Sequence, residues 1–179
     1  MAEAFSNKLV RAAGSVQTST GCTIGITTTN ILGVSTAGLN VGDLVDTQNF
    51  IAGTKIATIG VGSIFADRDS TNTASSSGNS VKFLGVTTAY SSASSVKSII
   101  IGGTFANNTN NQVSLSVVVE DNSTGTDVAL ASKIPVPAGS SFVISDTGKT
   151  LLEGDDKVKI YVDANSAIDV SLSILTGVN

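Results

Sequence analysis

The chain contains no histidine, no tryptophan and a single cysteine, and only 13% of its 179 residues are charged. Each shortage removes a class of function. Without histidine there is no imidazole base for a serine or cysteine nucleophile, which leaves only a Ser-Lys pair among the usual triad chemistries. No Ser-x-x-Lys accompanied by a supporting partner motif is found. One cysteine and no histidine make a poor zinc site. Cys22 has no intramolecular disulfide partner and reads as a small buried hydrophobe. With tyrosines only at Tyr90 and Tyr161, the chain lacks the aromatic platforms that sugar-binding surfaces use.

Basic charge is equally sparse. Ten Lys and Arg residues are scattered, and the net charge is −4. Nucleic-acid binding needs clustered cations to displace counterions, so no nucleic-acid partner is expected. No apolar run approaches the ~20 residues of a membrane-spanning helix, so no membrane partner is expected either. The segment 1–13 carries Glu3, Lys8 and Arg11 and does not read as a secretory signal.

What is present is alternation. Gln112 to Glu120 and Ala167 to Leu175 place apolar side chains on every second position, with Ser, Asp, Gln or Glu between them. Period two marks a strand with one buried and one wet face. Val96 to Gly102 is nearly continuous in apolar residues and predicts a central strand. Ala106 to Asn111 and Asp121 to Gly125 predict turns, and Pro135 to Gly139 caps the strand that returns over Asp127 to Ile134. Residues Ser15 to Thr28 predict one strand, or two hinged at Gly21. Between Thr29 and Ser80, short apolar bursts end at Gly, Asn or Asp, and Gly60-Val61-Gly62 reads as a turn, not a nucleotide loop. Asp67 to Asn79 is polar and of low complexity, which predicts an exposed loop. Near the start, Phe5, Leu9 and Ala12 fall at helical spacing over residues 2–12 and predict a short helical arm able to order on a neighbouring subunit.

The predicted fold is therefore all-β: an antiparallel β-sandwich with a small inserted β-subdomain and a short N-terminal arm. The arm covers 1–13, the sandwich 14–28 and 80–179, and the insert 29–79 with its loop 67–79.

Carboxylates are the remaining candidates for site chemistry. Asp67-x-Asp69-x-x-Asn72 spaces oxygen ligands as a calcium loop does, but the Gly and terminal Glu of an EF-hand are missing, and a solvated loop is the stronger reading. Glu120-Asp121-Asn122 and Glu153-Gly154-Asp155-Asp156 read as turn-forming acids first. No catalytic, cofactor-binding or metal residue is assigned.

The segment Lys133-Ile-Pro-Val-Pro-Ala-Gly-Ser-Ser-Phe-Val-Ile144, with Leu151-Leu-Glu-Gly-Asp155 and the closing Ala167 to Leu175, resembles a small β-sandwich family in virion structural proteins of tailed bacteriophages, especially phages of marine bacteria. The resemblance covers Thr87 to the end. Val34 to Val45 and Ala52 to Gly60 resemble short β-modules of phage tail and fibre proteins. The resemblance implies a non-enzymatic virion component: a capsid decoration protein, or a neck, tail or fibre component. It implies a homo-oligomer, for instance a trimer, that contacts its own copies and phage capsid or tail proteins and needs no cofactor. A bacterial surface adhesion module shares the same β-grammar, and a polysaccharide-degrading enzyme would need two convergent carboxylates.

Overall fold

The structure is a computed structural model that describes residues 3–144 and 149–178. Its described residues form fifteen strands: β1 (Ala4–Ala13), β2 (Ser15–Ile24), β3 (Asn30–Leu32), β4 (Leu44–Asp46), β5 (Ile56–Gly60), β6 (Ser63–Ala66), β7 (Ser76–Gly85), β8 (Thr87–Ser91), β9 (Lys97–Asn107), β10 (Val113–Asp121), β11 (Thr126–Val136), β12 (Ser141–Ile144), β13 (Thr150–Leu152), β14 (Lys157–Val162) and β15 (Ile168–Val178). The all-β antiparallel architecture is as the alternation predicts. Among the described residues no helix is long and apolar enough to cross a membrane.

The chain divides into two compact units, Met1–Gly14 with Thr87–Asn179, and Ser15–Val86. In the first unit, β1, β15 and β9 run side by side, and both β12 and β13 pair with the far edge of β9. The second sheet has the order β11-β10-β14-β8. The first strand thus pairs with the last, β8 with β14, β9 with β12 and β13, and the middle pair β10 and β11 with each other. That nested antiparallel order, split over two sheets, is a jelly roll.

The alternation explains its core. Phe105, Val170, Leu172 and Ile174 from one sheet face Leu115, Val117, Val158 and Ile160 from the other, and all are buried. Phe105 and Phe142 pack with ring centroids 5.9 Å apart. One polar tie crosses the core, where the Tyr90 hydroxyl lies 2.8 Å from Ser98 Oγ. Proline is confined to an edge: Pro135 lies on β11, which has a neighbour on one side only. Gly139 turns the chain toward β12 at a φ of 64°. Gly154 is required for a different reason, since a Cβ there would stand 2.5 Å from the backbone nitrogen of Ser95.

The second unit is a six-stranded sheet of order β4-β7-β2-β3-β6-β5. Its two ends meet. Leu44 bridges Lys55, Val45 N donates to Thr54 O (2.8 Å), and Ile56 N donates to Asp43 O (2.9 Å). The sheet therefore closes into a small barrel around Cys22, Ile24, Ile31, Ile56, Ile64 and Phe83, which leaves its end strands without a free edge there. The hinge expected at Gly21 is a bulge in β2, where the register to β7 shifts between Ser19 and Cys22 and Gly21 takes a φ of 75°. Gly60-Val61-Gly62 is the β5–β6 hairpin turn, as expected.

Three expectations are corrected. Residues 4–13 form a strand and not a helical arm: β1 pairs with β15 from Ala4↔Thr176 to Val10↔Val170. Phe5 and Leu9 are four apart, which suits a helix face and a strand face equally, and the available partner strand decides. The stretch 15–28 and residues 80–86 belong to the barrel and not to the sandwich, because β2 pairs with β7 and β3. The insert therefore runs from Ser15 to Val86. Finally, the exposed loop expected over 67–79 is present over 67–75, but Ser76 to Asn79 begin β7, and Ser70 is buried.

Candidate functional site

The two outer faces of the jelly roll differ in chemistry. On the β1-β15-β9 sheet, residues opposite one another point to the same side. Leu172 and Ile174 point inward and are buried, so Leu175, Ser173 and Ser171 point outward. Register then carries the outward positions across the sheet. Phe5 is opposite Leu175, Leu175 opposite Ile99, and Ile99 opposite Leu151. An apolar row thus crosses four strands. A second row runs Leu9, Ser171, Thr104, Val143. Phe5 is 78% exposed, Leu9 74%, Val143 55% and Leu151 51%. Single exposed apolar residues are ordinary, whereas contiguous ones mark interaction surfaces.

On the outer face of the other sheet Val118 and Tyr161 are buried, and the charges at its Glu120 end are paired within the chain. Glu120 Oε2 lies 2.7 Å from Lys159 Nζ and 3.4 Å from Lys157 Nζ. The Lys159 hydrogen bond and both lysine charges hold the Glu120 carboxyl below the usual glutamate range against a smaller opposing effect of burial. Ser116 Oγ accepts a hydrogen bond from Lys133 N (2.9 Å), where the chain takes a φ of 50°.

The acidic motifs singled out in the sequence are placed as structural groups. Asp67 Oδ1 accepts from Lys55 N (2.9 Å), while Asn72 Oδ1 accepts from Asn49 Nδ2 (2.7 Å). The Asn72 amide in turn donates to Ser76 Oγ and Ile24 O, so the 67–79 segment is fastened to the barrel by amide hydrogen bonds. Asp69 is exposed. Asp121 Oδ1 accepts from Ser123 and Thr124 of its own turn, and these bonds lower its pKa. Asp156 is buried and ties two turns together: Oδ1 accepts from Asn122 N (3.0 Å) and Oδ2 from Glu153 N (2.8 Å). Glu153 pairs with Lys97 at the surface, and Asp155 is exposed with a φ of 69°. Cys22 is fully buried, and burial raises its thiol pKa, which suits packing and not reactivity. Tyr90 and Tyr161 are both buried, so neither offers a ring to a sugar.

No protein-family model matches the chain, and no curated protein matches it. Among solved structures, that of infectious bursal disease virus (Gt strain) is similar at 12% identity and a TM-score of 0.31, over 96% of this chain and 55% of that one. The chain thus spans about half the length of that structure's chain, and a likeness this low assigns neither fold nor role.

Phe5 and Leu9 are the surface residues that sequence reasoning placed on the wrong element. A signal for them exists: Glu3, Phe5, Asn7, Leu9 and Arg11 alternate with Ala4, Ser6, Lys8 and Val10. The outward set is continuous, and the inward set matches the buried face of β15 through Lys8↔Leu172 and Val10↔Val170.

Proposed function

We propose that this chain is a non-enzymatic virion structural protein of a tailed phage, most naturally a capsid decoration protein, which works by burying its apolar outer face against copies of itself and a capsid or tail protein. The observation that carries the reading is the row Phe5-Leu175-Ile99-Leu151 with its neighbours Leu9 and Val143, laid out on a rigid jelly-roll sheet. Full burial of a Phe or Leu side chain contributes roughly 1.5–3 kcal/mol. Ile99 and Leu175 are already partly buried, so the gain comes mainly from Phe5, Leu9, Val143 and Leu151, which are half to three-quarters exposed, and it reaches only the low end of the ~4–15 kcal/mol that association costs in lost freedom. The row is therefore large enough to matter and too small to hold a complex without further hydrogen bonds or many repeated copies. A decoration protein meets that condition by symmetry, since each copy is held by several neighbours at once.

Asp156, Glu120, Asp67 and Asp121 fit this reading as structural groups, since each holds a turn or an ion pair. The Ser, Thr and Asn that fill the remaining surface hydrogen-bond locally and lose little side-chain entropy when covered.

Quantitative mass spectrometry of purified particles tests the proposal. A decoration protein is present at high copy number, on the order of the major capsid protein. A neck, tail or fibre component is present at a small number set by the tail symmetry. A chain missing from particles and found on bacterial surfaces would replace this reading with an adhesion module.

A further inference from the structure

We infer that β1 is the self-association edge of this protein, pairing antiparallel with β1 of a second copy about a two-fold axis at Asn7. The inference rests on the reading of the β1-β15-β9 sheet as an assembly surface and names the partner of its open edge. β1 has β15 on one side, and among the described residues no strand pairs with its other side. An unpaired edge presents a row of backbone donors and acceptors, and these are the hydrogen bonds that the apolar row lacks.

The side chains of β1 are complementary to themselves. Its outward series, including Glu3 just before the strand, is Glu3, Phe5, Asn7, Leu9, Arg11, and each of the five is exposed. Turned about Asn7, Phe5 of one copy lies opposite Leu9 of the other, and Glu3 lies opposite Arg11. Both contacts occur twice in the pair. On the inward side, Ala4 meets Val10 and Ser6 meets Lys8. Directly opposed apolar pairs and opposite charges stabilise antiparallel strands, whereas opposed like charges destabilise them.

Neighbouring registers that keep outward residues opposite outward residues are worse. A two-fold at Lys8 sets Lys8 against Lys8 and Arg11 against Phe5. A two-fold at Ser6 sets Glu3 against Leu9 and leaves Arg11 beyond the pairing. Lysine on an edge strand usually discourages pairing; here Lys8 selects one register. Pairing about Asn7 also extends the apolar row Phe5-Leu175-Ile99-Leu151 of one copy by Leu9 of the other across the joint. The two-fold replaces the trimer that the resemblance suggested. The bulge between Val10 and Ala13, held by Ala12 N donating to Asp169 Oδ1 (2.7 Å), ends the regular edge at Val10, so Arg11 lies just past one end of it as Glu3 lies just before the other.

Disulfide trapping in the full chain tests the register. Opposed residues bring their Cβ atoms ~4.5–5.5 Å apart, near enough for a disulfide with a small adjustment. Asn7→Cys is expected to cross-link to a dimer of twice 18.0 kDa under mild oxidation, while Leu9→Cys is not, and the buried Cys22 stays silent in both. Sedimentation equilibrium adds the charge test. Glu3→Arg and Arg11→Glu are each expected to weaken the dimer on the order of tenfold, and the double variant Glu3→Arg/Arg11→Glu to restore it. Both positions are exposed, so folding is retained and far-ultraviolet circular dichroism checks it. A trimer mass, a strict monomer, cross-linking through Leu9→Cys in place of Asn7→Cys, or single variants that associate like the parent would each overturn the pairing. Those results leave particle composition untouched, so failure of the pairing and failure of the virion reading are separately visible.

Discussion

The two sheets of the jelly roll share one core and treat their outer faces in opposite ways. On the β10–β14 face, charge is paired within the chain: Glu120 sits between Lys157 and Lys159. On the β1–β15–β9 face, Phe5, Leu9, Val143 and Leu151 are exposed. The same alternation builds both sheets, so the difference is not imposed by the fold. A face whose ions are paired internally is complete in the isolated chain. A face that leaves an apolar row and an open edge exposed is the one that the proposal covers with another surface.

The largest contrast is between inward and outward aromatic rings. Phe105→Ala removes a fully buried ring packed on Phe142, and about 3–5 kcal/mol of jelly-roll stability is expected to go with it. Phe5→Ala, measured at dilutions where the chain is monomeric, is expected to stay within ~0.5 kcal/mol of the parent while weakening association. Urea unfolding of both variants checks this, followed by a probe in each unit because two units need not unfold together. Equal losses would place Phe5 in a core and remove the contrast.

A smaller effect is expected on the ionic face. Glu120→Gln deletes the shared partner of two lysines and should destabilise the jelly roll by ~0.2–1 kcal/mol at low salt, with the effect shrinking as salt rises. Salt should act the other way on the apolar face. Sulfate strengthens apolar burial, so the apolar share of self-association, read in a Glu3→Gln/Arg11→Gln variant that lacks the charge pairs, should tighten in the salt that loosens the ion pairs. Thermal melts and light scattering over one sulfate series read both.

Acid separates the two units by a still smaller margin. The folded-state pKa of Glu120 is lowered, so its contribution is present above the ordinary glutamate range and lost as pH falls through the lowered value. Asp43 in the barrel is raised, chiefly by burial. Its contribution runs in reverse: it is fully present below the ordinary aspartate range and lost as pH rises through the raised value. Mild acidification should therefore loosen the β10–β14 region relative to the residues around Asp43. Hydrogen exchange resolved by peptide checks the sign, and loosening around Asp43 ahead of β14 would contradict it.

The strands of the jelly roll were legible in the sequence where the apolar pattern is long: β9 lies over the near-continuous apolar run Val96–Gly102, and β10, β11 and β15 lie over Gln112–Glu120, Asp127–Ile134 and Ala167–Leu175. The ownership of β2 was not legible, because its partner β7 lies far along the chain, with Ser15 opposite Gly85, and nothing local marks that register. Barrel closure through Leu44 and Lys55 is hidden for the same reason. The candidate surface is an extreme case. Phe5, Ile99, Leu151 and Leu175 lie on four different strands, and only three cross-strand registers bring them into one row. In Ser15–Val86 the bursts correctly marked strands, but the polar run Asp67–Asn79 hid a network in which Asn49, Asn72 and Asn79 converge on Ser76. Composition read that run as solvated because amides that bond one another look the same in sequence as amides that bond water.

The central claim is that the β1–β15–β9 face is a covered assembly surface in the working particle. Electron cryomicroscopy of intact particles tests it most directly. The account predicts density for this chain on the particle, with Phe5, Leu9 and Leu151 buried against a neighbouring subunit and the Glu120 face left toward solvent. Density in which the Phe5 row faces open solvent while the Glu120 face makes the contacts would contradict it.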